Sequence, residues 1–183
     1  MITLLSMMKK HWFMNIHALF VMCCLVLAVL AASSRPGRAV TRNSWRGITP
    51  LHSSTADVAR VLGLDGDPAD HDLTRPFKVE GGEVTFSYLS PSLAEMFKAP
   101  KSMSGKVFTV YFKPIPSMAR QELNLAPEFK RCVEDTEKTF YYFVSDAGVA
   151  YRFVRGNDMV DTVIYQPSRA EVRRLAVNTT CVF

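Results

Sequence analysis

An α+β fold built on an antiparallel sheet is what this sequence predicts, on three observations. First, Thr139–Ser145 (TFYYFVS), Val149–Val154 (VAYRFV) and Met159–Gln166 (MVDTVIYQ) are successive aromatic and β-branched runs. Second, the turn sequences Asp146-Ala147-Gly148 and Arg155-Gly156-Asn157-Asp158 separate them, so they read as a three-strand meander. Third, the helix signals are short and stand before and after the strands rather than alternating with them, which separates α+β from parallel α/β. The expected sheet has about five to six strands, with one short helix before it and one after it.

The elements follow in order from Trp45, where the folded body is expected to begin. Ser54-Thr55-Ala56-Asp57 is a capping-box start, with Asp57 favourable near the positive helix end. Val58, Val61 and Leu62 then recur on one face and Gly63 supplies the stop. Leu64–Pro76 reads as a polar connection. Val84, Phe86 and Tyr88 alternate with Glu83, Thr85 and Ser87, giving a half-buried strand over 83–89. Phe77 and Val79, before the Gly81-Gly82 turn, are its candidate hairpin partner. Residues 90–105, with Pro91, Pro100 and Gly105, are expected to be a loop. Val107–Phe112 (VFTVYF) is apolar on both faces, the pattern of a central strand covered on both sides. Pro114 and Pro116 end it. Residues 117–138 show no clear period, with one irregular helical turn expected near Met118–Leu123. Ser168-Arg169-Ala170-Glu171 is a full capping box into a last short helix with Val172 and Leu175 apolar.

Ahead of the body, Lys9 and Lys10 precede a nearly continuous apolar run, Phe13–Ala32, ending in Ala31-Ala32-Ser33. A positive start, an apolar core and small residues at its end are the parts of a signal peptide. The run also approaches the roughly 20 residues of a spanning helix. Residues 1–32 are therefore read as a signal peptide or N-terminal membrane anchor, with a buried core helix as the remaining alternative. Residues 33–44 (SSRPGRAVTRNS) read as a basic linker, and 45–183 as a single domain. The arginines that follow the run favour, by the positive-inside rule, a cytoplasmic C-terminal part. The signal geometry favours an exported, extracytoplasmic one, in the periplasm or anchored to the membrane. Cys23 and Cys24 lie inside the apolar run, with Leu25–Ala32 still to follow, which is not lipobox geometry.

The chain of 183 residues is 48% hydrophobic and 21% charged, with a net charge of +5. That charge invites a nucleic-acid reading, but its location removes it. Lys9 and Lys10 belong to the targeting segment, and Arg35, Arg38, Arg42 and Arg46 to the linker and its junction. Residues 47–183 hold 16 Lys and Arg against 17 Asp and Glu, so no basic folded face is expected. Outside the apolar run the cysteines are Cys132 and Cys181. A pair in an exported domain is a candidate disulfide, with two free thiols the alternative.

Motifs that carry chemistry are sparse. Residues 45–183 hold no GxSxG, SxxK, CxxC or phosphate-cradling glycine loop. The body has two histidines, His52 and His71. Asp65, Asp67, Asp70 and Asp72, with His71 among them, form an acidic loop. Carboxylates at alternate positions are a weak Ca²⁺ candidate, and the EF-hand spacing with its final Glu is missing. A solvated acidic loop is the plainer reading, and no cofactor is expected. Trp45 and Arg46 are a candidate recognition patch; the alternative has Trp45 covering the sheet end and Arg46 pairing with a carboxylate.

The stretch Trp45-Arg46-Gly47-Ile48-Thr49-Pro50-Leu51-His52-Ser53-Ser54-Thr55-Ala56-Asp57-Val58, closing at Leu62-Gly63, resembles an exported bacterial domain of unknown function with the pattern WRGIxPLxSTxxDVxxLLG. The likeness extends more loosely over residues 44–176. It is carried there by Gly105-Lys106-Val107, Leu123-Asn124-Leu125, Tyr142 with the Gly148 hairpin, and Ile164-Tyr165-Gln166-Pro167-Ser168. Cysteines of that family fall in the loop after the first strand and near the C-terminus. Cys181 matches the second place, while the 90–105 loop has none. More distantly, Thr55–Gly63 followed by sheet is similar to the modules of small outer-membrane-assembly lipoproteins and β-lactamase-inhibitor proteins. Those resemblances imply an exported, non-enzymatic module that binds another envelope protein or has an envelope-structural role; the N-terminal segment, if uncleaved, is expected to touch the membrane. A hydrolase-type enzyme with an unrecognised site, and a small-molecule or lipid carrier, are the alternatives.

Overall fold

A computed structural model describes residues 42–132 and 140–175. The three-residue strand β1 (Phe77–Val79) starts a sheet that continues with β2 (Gly82–Tyr88), β3 (Val107–Pro114), β4 (Lys130–Cys132), β5 (Phe140–Val144), β6 (Val149–Val154) and β7 (Val160–Tyr165). The order across the sheet is β1-β2-β3-β7-β6-β5-β4, and every neighbouring pair is antiparallel. The helices are α1 (Thr55–Leu62), α2 (Pro91–Met96) and α3 (Arg169–Arg174). The fold is α+β, with seven strands rather than five or six; β4 is the added one.

Local chemistry explains α1 and α3. Ser54 accepts from the Asp57 amide while the Asp57 carboxylate accepts from the Ser54 amide at 2.8 Å. That reciprocal cap satisfies two donors that a helix start otherwise leaves open. Gly63 closes α1 in the left-handed region at φ 66°, where a side chain would be strained. Ser168 and Glu171 repeat the box on α3. The 90–105 segment is not the expected loop. Ser90 caps α2, whose first residue is Pro91. Proline is well suited to that position because its missing N–H has no helical partner there and its φ is already helical.

The main core lies on one sheet face. Val84 and Phe86 of β2, Val107 and Val110 of β3, Val163 and Tyr165 of β7, and Tyr151 and Phe153 of β6 pack there with Trp45, Ile48, Val58 of α1, Leu73, Leu123 and Phe129. A second, smaller cluster joins α2 and α3 at one end: Leu51, Leu89, Ala94 and Leu175, with Phe97 stacked on Phe108 at 5.5 Å. A bulge allows β3 to serve both clusters. Ser87 pairs with Thr109 and Tyr88 with Val107, leaving Phe108 as the extra residue. An unpaired extra residue re-aims its side chain, and Phe108 joins the second cluster while its neighbour Val107 stays in the first. β3 lies inside the sheet as expected, but it is not covered on both faces. Tyr111 is 39% exposed and Lys113 is exposed as well.

Among the described residues no helix is long and apolar enough to cross a membrane. The segment expected to be a signal or anchor (1–32), most of the linker, and Cys181 lie outside the described residues.

Candidate interaction surface

The sheet's second face is read directly from the register. Residues opposite one another on paired strands share a face. Thr85, Tyr111, Ile164, Ala150, Val144 and Lys130 form one row across six strands. Beside it, Lys78, Glu83 and Lys113 stand opposite one another on the β1–β3 side, and Thr162, Arg152, Tyr142 and Cys132 on the β7–β4 side. The first group mixes hydroxyl, aromatic and aliphatic side chains; the second is largely charged. Most are exposed or half-buried, with Ala150, Val144 and Thr162 the buried exceptions.

One cluster on this face is held rigidly. Arg152 pairs with Thr162 and Phe153 with Val160, so Asp161 is the extra residue of a second bulge. Its Oδ2 accepts from Arg152 Nε at 2.8 Å, from Arg152 Nη2, and from Thr162 Oγ1 at 2.7 Å. Arg152 Nη2 also donates to Thr162 Oγ1 at 3.0 Å. The guanidinium carbon sits 4.8 Å from the Phe140 ring centre, within cation–π range. Burial raises the Asp161 carboxyl, but the Thr162 and Arg152 hydrogen bonds and the Arg152 and Lys113 charges outweigh it, so the group lies below the ordinary carboxylate value. The result is a fixed ion pair at the border of the open face rather than a free acid poised for proton transfer.

The sheet edges are less suited to recognition. Strands β1 and β4 are three residues each, and they carry Lys78, Lys130 and Arg131. Short, cationic edges resist pairing with another strand.

The residues singled out from sequence fall in four places. Trp45 is 5% exposed, packed edge-on to Phe86 at 5.7 Å and tilted against Phe112 at 6.2 Å. It closes a tight turn in which Trp45 and Ile48 exchange backbone hydrogen bonds at 2.9 and 2.8 Å. Arg46 lies over the Trp45 ring at 5.2 Å and donates to the Glu80 carbonyl at 3.0 Å, with the Glu80 carboxylate 3.9 Å away. Of the Trp45–Arg46 patch, the arginine reaches solvent and the tryptophan is core. Two carboxylates of the acidic loop, Asp67 and Asp72, are taken up by neighbouring residues of the loop itself. Asp67 accepts from the Ala69 amide at 2.9 Å, Asp72 from the Thr74 amide at 3.1 Å and hydroxyl at 2.6 Å, and His71 Nε2 lies 2.8 Å from the Asp65 carbonyl. Among the described residues no three metal-type donors, from Asp65, Asp67, Asp70 and Asp72 or elsewhere, gather as for an ion. His52 meets Glu171 at 2.9 Å on the surface. Cys132 ends β4.

Two concavities among the described residues are open to solvent. One of about 650 Å³ lies between α2 and the 101–104 turn. The other, of about 630 Å³, lies beside the start of α1 and includes His71, Asp72 and Tyr88. Burial pushes the Tyr88 phenol up to about 12, so it is a neutral donor. In neither do a nucleophile, a base and an orienting group come within hydrogen-bond reach of one another, as covalent catalysis requires.

No family model, no curated protein and no solved structure matches this chain. Its functional reading therefore stands on the surface just described.

The residues of that surface were missed from sequence. Thr85, Tyr111, Lys113 and Asp161 lie at strand positions whose two-residue period was legible. What hid them was the apolar look of VFTVYF, which implies cover on both faces, and the Asp161 bulge, which no pattern announces.

Proposed function

We propose that this chain is an exported or membrane-tethered, non-enzymatic module that binds another envelope protein or serves envelope structure, through the second face of its sheet. The observation that carries this reading is the face itself: a mixed aromatic, hydroxyl and charged surface, exposed on a sheet whose other face is full. Tyrosine and arginine in such a setting are the residue types that anchor protein interfaces. An enzyme is expected to converge polar groups in a deep pocket, and a carrier to enclose an apolar cavity; the concavities at α2 and α1 are open to solvent and enclose nothing. The likeness of Trp45–Gly63 to exported bacterial domains supports the same reading, as does the signal-like segment before it.

The compartment has its own chemistry. Pairing of Cys132 with Cys181 in an oxidising space belongs to this reading. Fractionation with N-terminal sequencing tests export. The expected result is an envelope or membrane fraction, with the chain either starting near residue 33 or retaining Lys9 and Lys10 on a membrane-bound form. A soluble cytoplasmic chain with free Cys132 and Cys181 thiols on a non-reducing peptide map would refute it.

A further inference from the structure

We propose that the end of the molecule built by α2, the 101–106 turn and α3 docks on an anionic phospholipid bilayer. This is a second surface, beyond the sheet face, and three observations meet there. Met96 is 63% exposed, more than any other large apolar side chain among the described residues. Its chain neighbour Glu95 lines a concavity together with Pro91, Ala94, Ala99, Lys98 and Lys101. The charge is lopsided. Residues 91–106 carry Lys98, Lys101 and Lys106 against Glu95, and α3 carries Arg169, Arg173 and Arg174 against Glu171.

The second core cluster joins the elements that carry these charges. Leu175, just after Arg173 and Arg174, packs with Ala94 of α2, Leu51 and Leu89. Both acids are accounted for differently. Glu171 is engaged by Ser168 and His52, and Glu95 remains as the uncompensated negative group. Arg169 is turned to Asp146 at 3.3 Å. Lys98, Lys101, Arg173 and Arg174 are exposed. Since residues 47–183 are close to neutral as a whole, this end is positive at the expense of the rest of the body, which is acidic.

Basic side chains near an anionic leaflet are drawn to its phosphates, and the attraction fades within a Debye length. An exposed methionine among them has an apolar layer to enter, and an apolar-lined concavity with a cationic border suits a lipid headgroup and the top of its chains. An acidic protein would meet the same lysines but would leave Met96 without a partner. No exposed aromatic stands here for bases to stack on, because Phe97 and Phe108 are stacked on each other.

Hydrogen exchange of the full chain tests this, in vesicles of phosphatidylcholine alone and of phosphatidylcholine with phosphatidylglycerol. The reporters are the hydrogen-bonded amides of Ala94, Phe97 and Ala99. With phosphatidylglycerol their exchange should slow about tenfold or more, the effect expected of two or more lysines at a charged leaflet. High salt should abolish the slowing, and so should Lys98→Glu with Lys101→Glu, a pair whose exposed positions leave melting unchanged. Equal exchange in the two vesicle types would overturn the proposal. So would protection that survives charge reversal, or protection produced equally by soluble polyglutamate. Tethering is read separately, from whether the chain pellets with neutral vesicles. A chain that ignores neutral vesicles but shows salt-sensitive protection with phosphatidylglycerol supports this surface while refuting the tether.

Discussion

Replacing Gly148 by alanine should be among the most damaging single changes outside the hydrophobic core. Gly148 closes the β5–β6 turn at φ +91°, and a Cβ there would lie 2.3 Å from the Gln166 carbonyl oxygen and 3.0 Å from the Pro167 carbonyl. Two costs combine. The left-handed backbone strains any L side chain by about 1–2 kcal/mol. The clash is with backbone, so the end of β7 must shift, which endangers the 2.9 Å bond from the Gln166 amide to the Gly148 carbonyl. A lost hydrogen bond of that kind costs about 0.5–1.5 kcal/mol. The sum is about 1.5–3.5 kcal/mol, which for a chain of this size lowers Tm by roughly 3–14 °C. Gly156 provides the control: it lies at φ +101° with nothing within 4 Å of an added Cβ. Gly156→Ala should therefore cost the strain alone, about 1–2 kcal/mol. Urea titrations followed by circular dichroism measure both. Equal losses for the two variants would refute the close approach of the turn to β7, and with it the geometry of the meander.

Three further outcomes follow from the same contacts. Ser54→Ala removes the α1 cap and should cost about 1 kcal/mol in chemical denaturation. Its partner Asp57 is held at about 2, first by the Ser54 backbone hydrogen bond and then by the Ser54 hydroxyl and Arg60. Because the folded value is below the ordinary 3.8, the stabilisation is present above about pH 4 and lost as pH falls towards 2. Ser54→Ala keeps the backbone donor and loses the hydroxyl, so it should shrink that acid limb in part in a Tm-against-pH series. Trp45→Ala should cost about 3–5 kcal/mol, as for other buried aromatics. Arg46→Ala should cost under about 1 kcal/mol, because its ion-pair partner Glu80 is 96% exposed; comparable losses would contradict the assignment of Trp45 to the core and Arg46 to solvent. Asp161→Asn should leave Arg152 without its anion and lower stability by about 1.5–3 kcal/mol in the same assay.

How much of this was legible beforehand depends on element length and on cover. α1 and α3 were readable because each carries its own stop or start chemistry in four residues, Ser54 to Asp57 and Ser168 to Glu171. The meander was readable because its turns are short and its runs aromatic. α2 was not, since six residues with Leu93 and Ala94 turned inward make no period, and Pro91 reads as a breaker unless Ser90 is recognised as its cap. β4 was not, because Lys-Arg-Cys is a strand only by virtue of pairing with Tyr142, Phe143 and Val144. The open face lay furthest from reach. Alternation places Tyr111 and Lys113 on one side of β3, but which side is covered depends on where α1, Leu73 and Leu123 settle, a tertiary outcome.

The central claim is that the face bearing Thr85, Tyr111, Lys113 and Ile164 meets a protein partner. Photo-crosslinking in the native cell tests it most directly, with benzoylphenylalanine at position 111 and, as control, at Glu122, whose turn packs on the core face through Leu123. The expected result is a discrete protein adduct from position 111 that Lys113→Glu diminishes, and none from position 122. Adducts from position 122 alone, or none from 111 in a chain shown to be folded and exported, would contradict the account.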